Sequence, residues 1–455
     1  MVEANNASFV AALLANPILK LWLPLLLTAL VLAGYDFLPR TTWWRRGYAT
    51  LVLACIAGFG GLTGYRVWQN IRNPPMWDVQ AFWIAGRVAV EGENFYDAAD
   101  MRRIAEPLKH AATPVSSRTD FDDIILRVGF MYPPPTMLLV APFGLLDLGM
   151  GTVAWFAFHT LVLLACIALL RRTFFPQGGV LELGVVTALV LLLHATYTTY
   201  IFGQTTFVVL LCLLLFWRHR ERPVSGLALA AGVITKPVFA FFFAYPLVRR
   251  NWRALGLGFG ALAVASALAL ALWGPEVFIT YVTNNPVTRA ADGVFTSIVN
   301  QSLLSTMIRA VGYDFSDGSP LFYPPFLAAA AFITGVTFWL VHKLGAQRGE
   351  LGLSIAVPAS LLIYPQALEH YTVLLLAPML FLWRRCEELG VSRALVIALL
   401  TLQYALIRHD HGYIAVSANA LQWVFGVVLG VRVAYGFSPR DDLQPTLAGG
   451  GSPWK

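Results

Sequence analysis

Long apolar runs separated by short polar loops set the pattern of this chain. The first, Pro17 to Leu38, has the ~20 residues that cross a bilayer as a helix, and a second runs from near Arg46 to near Tyr65. Further crossings are predicted at Gly151–Leu170, Leu181–Tyr200, Thr205–Trp217, Leu255–Trp273 and Phe322–His342. Four more follow at Leu351–Tyr364, Tyr371–Trp383, Ala394–Ile407 and Ile414–Tyr435.

Two patterns differ from a simple crossing. After Phe130-Met131-Tyr132-Pro133-Pro134-Pro135 the apolar run to Leu148 is short, which predicts a re-entrant or juxtamembrane helix. Between Arg222 and Arg249 two apolar pieces flank Thr235-Lys236-Pro237, and basic residues at both ends predict a hairpin. The longest polar stretch, Asn70 to about Met131, carries two segments with apolar residues at three- and four-residue spacing. Asp78–Val90 and Ala98–His110 are therefore expected as helices at the membrane surface.

The expected fold is an all-α, polytopic transmembrane helical bundle of about 11–13 membrane segments. Residues 1–438 form one integral-membrane domain, with residues 69–135 as an outer loop between the second and third crossings. The N-terminus lacks a signal peptide's basic patch, so the first run is kept as a helix. Residues 439–455, rich in Gly, Pro and Asp, are expected to be a disordered cytoplasmic tail.

Composition agrees: 58% hydrophobic and 13% charged residues exclude an ordinary soluble domain. The net charge of +7 raises the question of a nucleic-acid partner, but the placement of the cations answers it. Arg45 and Arg46, Arg171 and Arg172, Arg218 and Arg220, Lys343, Arg384 and Arg385, and Arg432 fall in alternate loops, as cytoplasmic loops require. The excess is topological, and no nucleic acid is expected. The four cysteines lie in or beside apolar runs and imply neither a disulfide framework nor a zinc site.

The same alternation sorts Asp78, Tyr132, Gln204, Lys236, Asn300-Gln301-Ser302, Arg309, Glu369-His370 and His409-Asp410-His411 to the outer face. Ionisable groups gathered at one face fit an enzyme working at that surface. A transporter or lipid flippase, the alternative, needs polar residues through the full depth and inverted repeats. A non-catalytic membrane scaffold would need neither Asp78 nor Lys236. Asp78 is a candidate general base; its position alone favours the N-cap of the helix that follows it, so the case for chemistry comes from the rest of the chain. Lys236 at a hairpin tip suits either an anion or snorkelling to the interface. His409 and His411 point apart on a helix, so a polar turn is expected there and no metal or cofactor is predicted.

Six motifs occur in one order: Asp78 in the first outer loop, Tyr132-Pro133-Pro134, Phe202-Gly203-Gln204, Thr235-Lys236-Pro237 with Arg249 to Arg253 behind it, Asn300-Gln301-Ser302-Leu303, and Glu369-His370-Tyr371. In this the chain, from about Trp77 to Pro378, resembles glycosyltransferase family 87. It departs by reading Tyr364-Pro365-Gln366-Ala367-Leu368 where the family carries Ser and Trp, and by two helices ahead of the Asp78 loop. The resemblance implies the GT-C fold and an active site facing the outer leaflet, here the periplasmic side of a bacterial cytoplasmic membrane. It also implies a polyprenyl-phosphate-linked sugar donor, mannose foremost, and Asp78 as the general base.

Elementary chemistry agrees with that expectation. A phosphate at the anomeric carbon leaves without protonation, so transfer needs one base for the acceptor hydroxyl and cations for the phosphate. Asp78 is expected as base, and Lys236 with His370 or Arg309 at the phosphate. Asn300 and Gln301 are expected at sugar hydroxyls, with Tyr132, Gln204 and Glu369 completing the substrate contacts. The expected partners are the lipid-linked donor, a lipid or glycan acceptor and membrane lipids, and one displacement inverts the anomeric centre.

Overall fold

The computed structural model describes residues 17–38, 41–72, 78–109, 130–283, 295, 297, 299–311, 323–407 and 418–436. Trp77, His409-Asp410-His411 and the expected tail at 439–455 lie outside the described residues.

Every named element among the described residues is helical. In chain order they are α1 (Pro17–Phe37), α2 (Thr42–Arg72), α3 (Asp78–Val90), α4 (Ala98–Lys109), α5 (Met137–Gly144) and α6 (Leu148–Phe174). Next come α7 (Val180–Leu192), α8 (His194–Phe202), α9 (Thr206–His219), α10 (Ser225–Thr235), α11 (Ala244–Val248) and α12 (Trp252–Thr283). The last are α13 (Leu303–Val311), α14 (Tyr323–Leu344), α15 (Gly349–Ile363), α16 (Leu376–Arg385), α17 (Arg393–Ile407) and α18 (Ala418–Ala434). Short 3-10 turns at Pro134–Thr136, Pro237–Phe243 and Glu369–Leu375 precede α5, α11 and α16.

By length and composition four helices can cross a membrane, α2, α6, α12 and α14, and the bent pair α7–α8 makes a fifth. These carry large apolar side chains outward, among them Leu53, Leu161, Phe259, Leu268 and Phe332, as lipid-facing helices do. Most of the other expected crossings are apolar helices of 10–17 residues. At 1.5 Å per residue these span about 15–25 Å, less than the ~30 Å hydrocarbon core. The chain is thus an all-α polytopic bundle in which one span, α7–α8, is bent and another, α12, is kinked.

The breaks have local causes. One continuous crossing is expected over Leu181–Tyr200, whereas the chain bends by 66° between α7 and α8. Leu193 takes extended backbone there (ψ 120°), and Thr198 and Thr199 turn their hydroxyls back to Ala195 O at 3.3 and 2.6 Å. Such back-bonding by β-branched residues weakens a helix. In α12 the break falls at Gly274, whose left-handed backbone (φ 76°) interrupts the helix, and Pro275, which lacks an N–H, opens the second helical piece.

The predicted hairpin after Arg222 is present. Lys236 is extended (φ −151°, ψ 127°), and beyond it Phe239 doubles back onto Gly232, where any Cβ would collide with its ring. A similar close approach seats α3: Gly144 of α5 lies against the Gly86 backbone with no space for a side chain. Glycine permits backbone contact at both places.

Candidate active site

Five of the nine expected site residues converge at one end of the bundle. The centre is Gln204, just past the C-terminus of α8. Gly203 ends that helix in the left-handed region (φ 68°) and its N–H bonds to Tyr200 O at 3.0 Å. Gln204 N–H in turn bonds to Thr199 O at 2.9 Å, the double bond pattern of a glycine-terminated helix. The turn is clamped from outside: Trp155 Nε1 donates to Gly203 O at 2.8 Å and Asn70 Nδ2 to Ile201 O at 2.9 Å.

From that turn the Gln204 amide faces three groups. Its Nε2 donates to Asp78 Oδ2 at 2.7 Å. Its Oε1 accepts from Lys236 Nζ at 2.9 Å and from Tyr132 OH at 3.1 Å. Both lone pairs and one amide proton are thereby engaged, which fixes which end of the amide faces the acid.

Lys236 is fully buried at the hairpin tip. Its ammonium is 3.2 Å from His370 Nε2 and 3.9 Å above the Tyr371 ring, with the Tyr132 ring at 5.8 Å. A protonated Lys236 has only protons to offer, so Nε2 accepts and the His370 proton sits on Nδ1. A buried ammonium costs several kcal/mol unless compensated. Here two acceptors and an aromatic face stand in for its water. The snorkelling expected as the alternative is not the conformation observed.

Asp78 opens α3, whose axis is set by the Gly86–Gly144 contact. The residue keeps some solvent contact, yet enough protein surrounds the carboxyl that desolvation raises its pKa. The Gln204 hydrogen bond and the Lys236 charge act in the opposite direction and only partly offset it. Tyr132 is fixed by Tyr96 OH, which donates to its carbonyl, and by the Phe82 ring at 5.2 Å. The Thr136 hydroxyl, bonded to Ile234 O, ties the proline turn to the hairpin.

The other four expected residues lie alongside this cluster. Asn300 bridges to Leu368 and donates from Nδ2 to Pro365 O at 2.8 Å. Gln301 N–H bonds to Ala367 O at 2.8 Å, and its side chain reaches Leu406 O and Ile407 O at 3.4 and 3.3 Å. Arg309 Nη1 bonds to Ser297 O, Asn300 O and Ser305 Oγ at 2.7, 2.9 and 2.7 Å. Together these bonds hold the segment that delivers Glu369 and His370. Glu369 is buried, with Oε2 3.8 Å from His194 Nε2. Tyr371 has no role in the sequence reading, although it stands next to His370 in the same motif, and here it forms one wall of the lysine site.

An acid, a bridging amide, a buried cation and a histidine are thus brought together from segments far apart in sequence. A model of glycosyltransferase family 87 matches residues 130–365, which includes the Tyr132, Gln204, Lys236 and Asn300 segments. The chain belongs to glycosyltransferase family 87.

Three bacterial proteins are similar to this chain. An alpha-(1->3)-arabinofuranosyltransferase of Mycobacterium tuberculosis is 31% identical over 226 residues, covering 48% of this chain and 51% of the relative. The protein of the same description from Corynebacterium glutamicum is 23% identical, covering 44% of this chain and 49% of its own length. A polyprenol-phosphate-mannose-dependent alpha-(1-2)-phosphatidylinositol mannoside mannosyltransferase of Mycobacterium tuberculosis is 22% identical over 347 residues, 72% of this chain and 75% of the relative. The chain spans about half the length of the arabinofuranosyltransferases it matches. No solved structure matches it.

Proposed function

We propose that the protein is a membrane glycosyltransferase that moves a sugar from a polyprenyl-phosphate donor to a hydroxyl of a lipid or glycan acceptor. The observation that carries this reading is the Asp78–Gln204–Lys236–His370 array, an acid and a buried cation held a fixed distance apart.

In the proposed reaction Asp78 takes the proton of the acceptor hydroxyl as its oxygen bonds to the anomeric carbon. The bond from that carbon to the phosphate oxygen breaks, and the electron pair leaves with the polyprenyl phosphate. Lys236 meets that charge, so stabilisation grows as the bond breaks. Attack and departure on opposite faces invert the anomeric centre. Asp78 keeps the solvent contact an incoming acceptor needs, and its raised pKa makes it a stronger base than a free carboxylate.

The family and the lipid-linked donor in one relative's description support this reading. The relatives' descriptions divide between arabinofuranosyl and mannosyl transfer. Mannose is the sugar proposed here, with the site on the periplasmic side of a bacterial cytoplasmic membrane. The test is transfer by the purified full chain from polyprenyl phosphate carrying mannose or arabinofuranose. Turnover with mannose supports the whole reading, turnover with arabinofuranose alone corrects the sugar, and turnover with neither removes the donor class.

A further inference from the structure

A cavity lies at the other end of the bundle from Asp78. It measures about 830 Å³, within the range of small-molecule sites. The C-terminal ends of α1, α6 and α16 and the N-terminal ends of α2, α7 and α17 surround it. On α6, Trp155 touches the active-site turn while Phe174 lines this cavity. The path between them rises about 28 Å at ~1.5 Å per residue, close to the ~30 Å hydrocarbon core. The cavity therefore opens at the membrane face opposite Asp78.

Its wall carries four acids and four arginines, and they are not all paired with one another. Each of its four acids has a partner: Asp36 accepts from Arg393 Nη1 and Trp383 Nε1, both at 2.6 Å. Glu182 accepts from Tyr35 OH at 3.2 Å and the Gly179 N–H at 2.6 Å. Glu388 pairs with Arg385 at 2.5 Å, and Glu350 lies 3.7 Å from Arg220. Two cations on the wall, Arg45 and Arg384, have no acidic partner among the described residues. The Arg384 guanidinium lies 4.6 Å over Phe175 and 5.7 Å over Tyr35, and its buried Nε has no hydrogen-bond partner among the described residues. A guanidinium stacked on rings is held in plane with its N–H edge available, the geometry that takes a phosphate through two parallel bonds.

We propose that this cavity binds a phosphoryl group, through Arg384 and Arg45, on the membrane face opposite the transfer site. The assignment stands independently of the role given to Asp78. The group has two possible sources, the headgroup of an anionic lipid in the adjacent leaflet or a soluble phosphate. Trp43 and Trp44 at the start of α2 are exposed, and exposed aromatic residues at helix ends suit the headgroup level.

The experiment uses the full chain in detergent, titrated in separate arms with short-chain phosphatidylglycerol and with inorganic phosphate, against chloride at equal ionic strength. The readouts are the thermal midpoint and the apparent affinity. Saturable stabilisation by at least one probe is expected, with about tenfold weaker affinity in Arg384→Gln, as for loss of one charge-assisted contact. Arg45→Gln, on an exposed turn, serves as the second variant if Arg384→Gln fails to fold. Response to the lipid alone supports a headgroup site, and response to both supports a site for any phosphoryl group. No saturable response to either probe, or equal affinity in the wild type and the folded variants, overturns the assignment.

Discussion

Asp78 and Lys236 are joined through one side chain: the Gln204 amide donates to the carboxylate at 2.7 Å and accepts from the ammonium at 2.9 Å. A direct ion pair would neutralise both groups and leave neither free for chemistry. The intervening amide keeps the two apart, the carboxylate with some solvent contact and the ammonium beside His370. It also couples them, since an amide polarised at its oxygen donates more strongly from its nitrogen.

Asp78→Asn separates base from cap. Asparagine caps a helix about as well as aspartate but takes up no proton at neutral pH. Transfer is expected to fall by roughly a hundredfold or more with expression and thermal midpoint unchanged. In the wild type the acid limb of the pH–rate profile is expected above the usual carboxylate value of ~3.9, because desolvation raises the Asp78 pKa. Activity is lost as pH falls through that raised value. Near wild-type turnover of the variant at every pH would sink the assignment.

Gln204→Leu tests the bridge. The hydrogen bond from Gln204 lowers the Asp78 pKa against desolvation, so its removal raises that pKa further. The acid limb should move to higher pH, with lower turnover at the plateau. A limb that stays in place means that the amide does not tune the carboxylate.

Lys236→Met keeps the stem and removes the charge. Removing the ammonium leaves His370 Nε2 without its donor and Asp78 without the positive charge nearby, so the thermal midpoint should fall while the protein still folds. The donor KM should rise and kcat fall, because the phosphate loses its cation before and during departure. Unchanged kinetics would reduce Lys236 to a packing element.

Sidedness follows from placing the two ends of the bundle on opposite faces. Arg103 of α4 and Arg385 of α16 are both exposed, one near each end. In a chain with its native cysteines buried, Arg103→Cys should react with an impermeant thiol reagent added outside, and Arg385→Cys only after permeabilisation. The reverse pattern would place the Asp78 site in the cytoplasm.

Much of the architecture was legible in the chain itself. Apolar runs predicted Pro17–Leu38 and found Pro17–Phe37, and helical spacing predicted Asp78–Val90 as observed. Burial period and bilayer thickness are local constraints, so a local pattern carries them. The residue types of the site were legible for the same reason, since an acid or lysine beside apolar runs stands out. Tertiary structure decided who meets whom. Gln204 reaches Asp78 across 126 positions and His370 reaches Lys236 across 134, and nothing near either residue encodes its partner. It also decided the bend at Leu193, the wall supplied by Tyr371 and the attachment of Asn300, Gln301 and Arg309 to neighbouring backbone. The reason is physical: a polar group inside a bundle must find a partner, and which partner is in reach depends on how distant helices pack, a relation that no stretch of sequence contains alone.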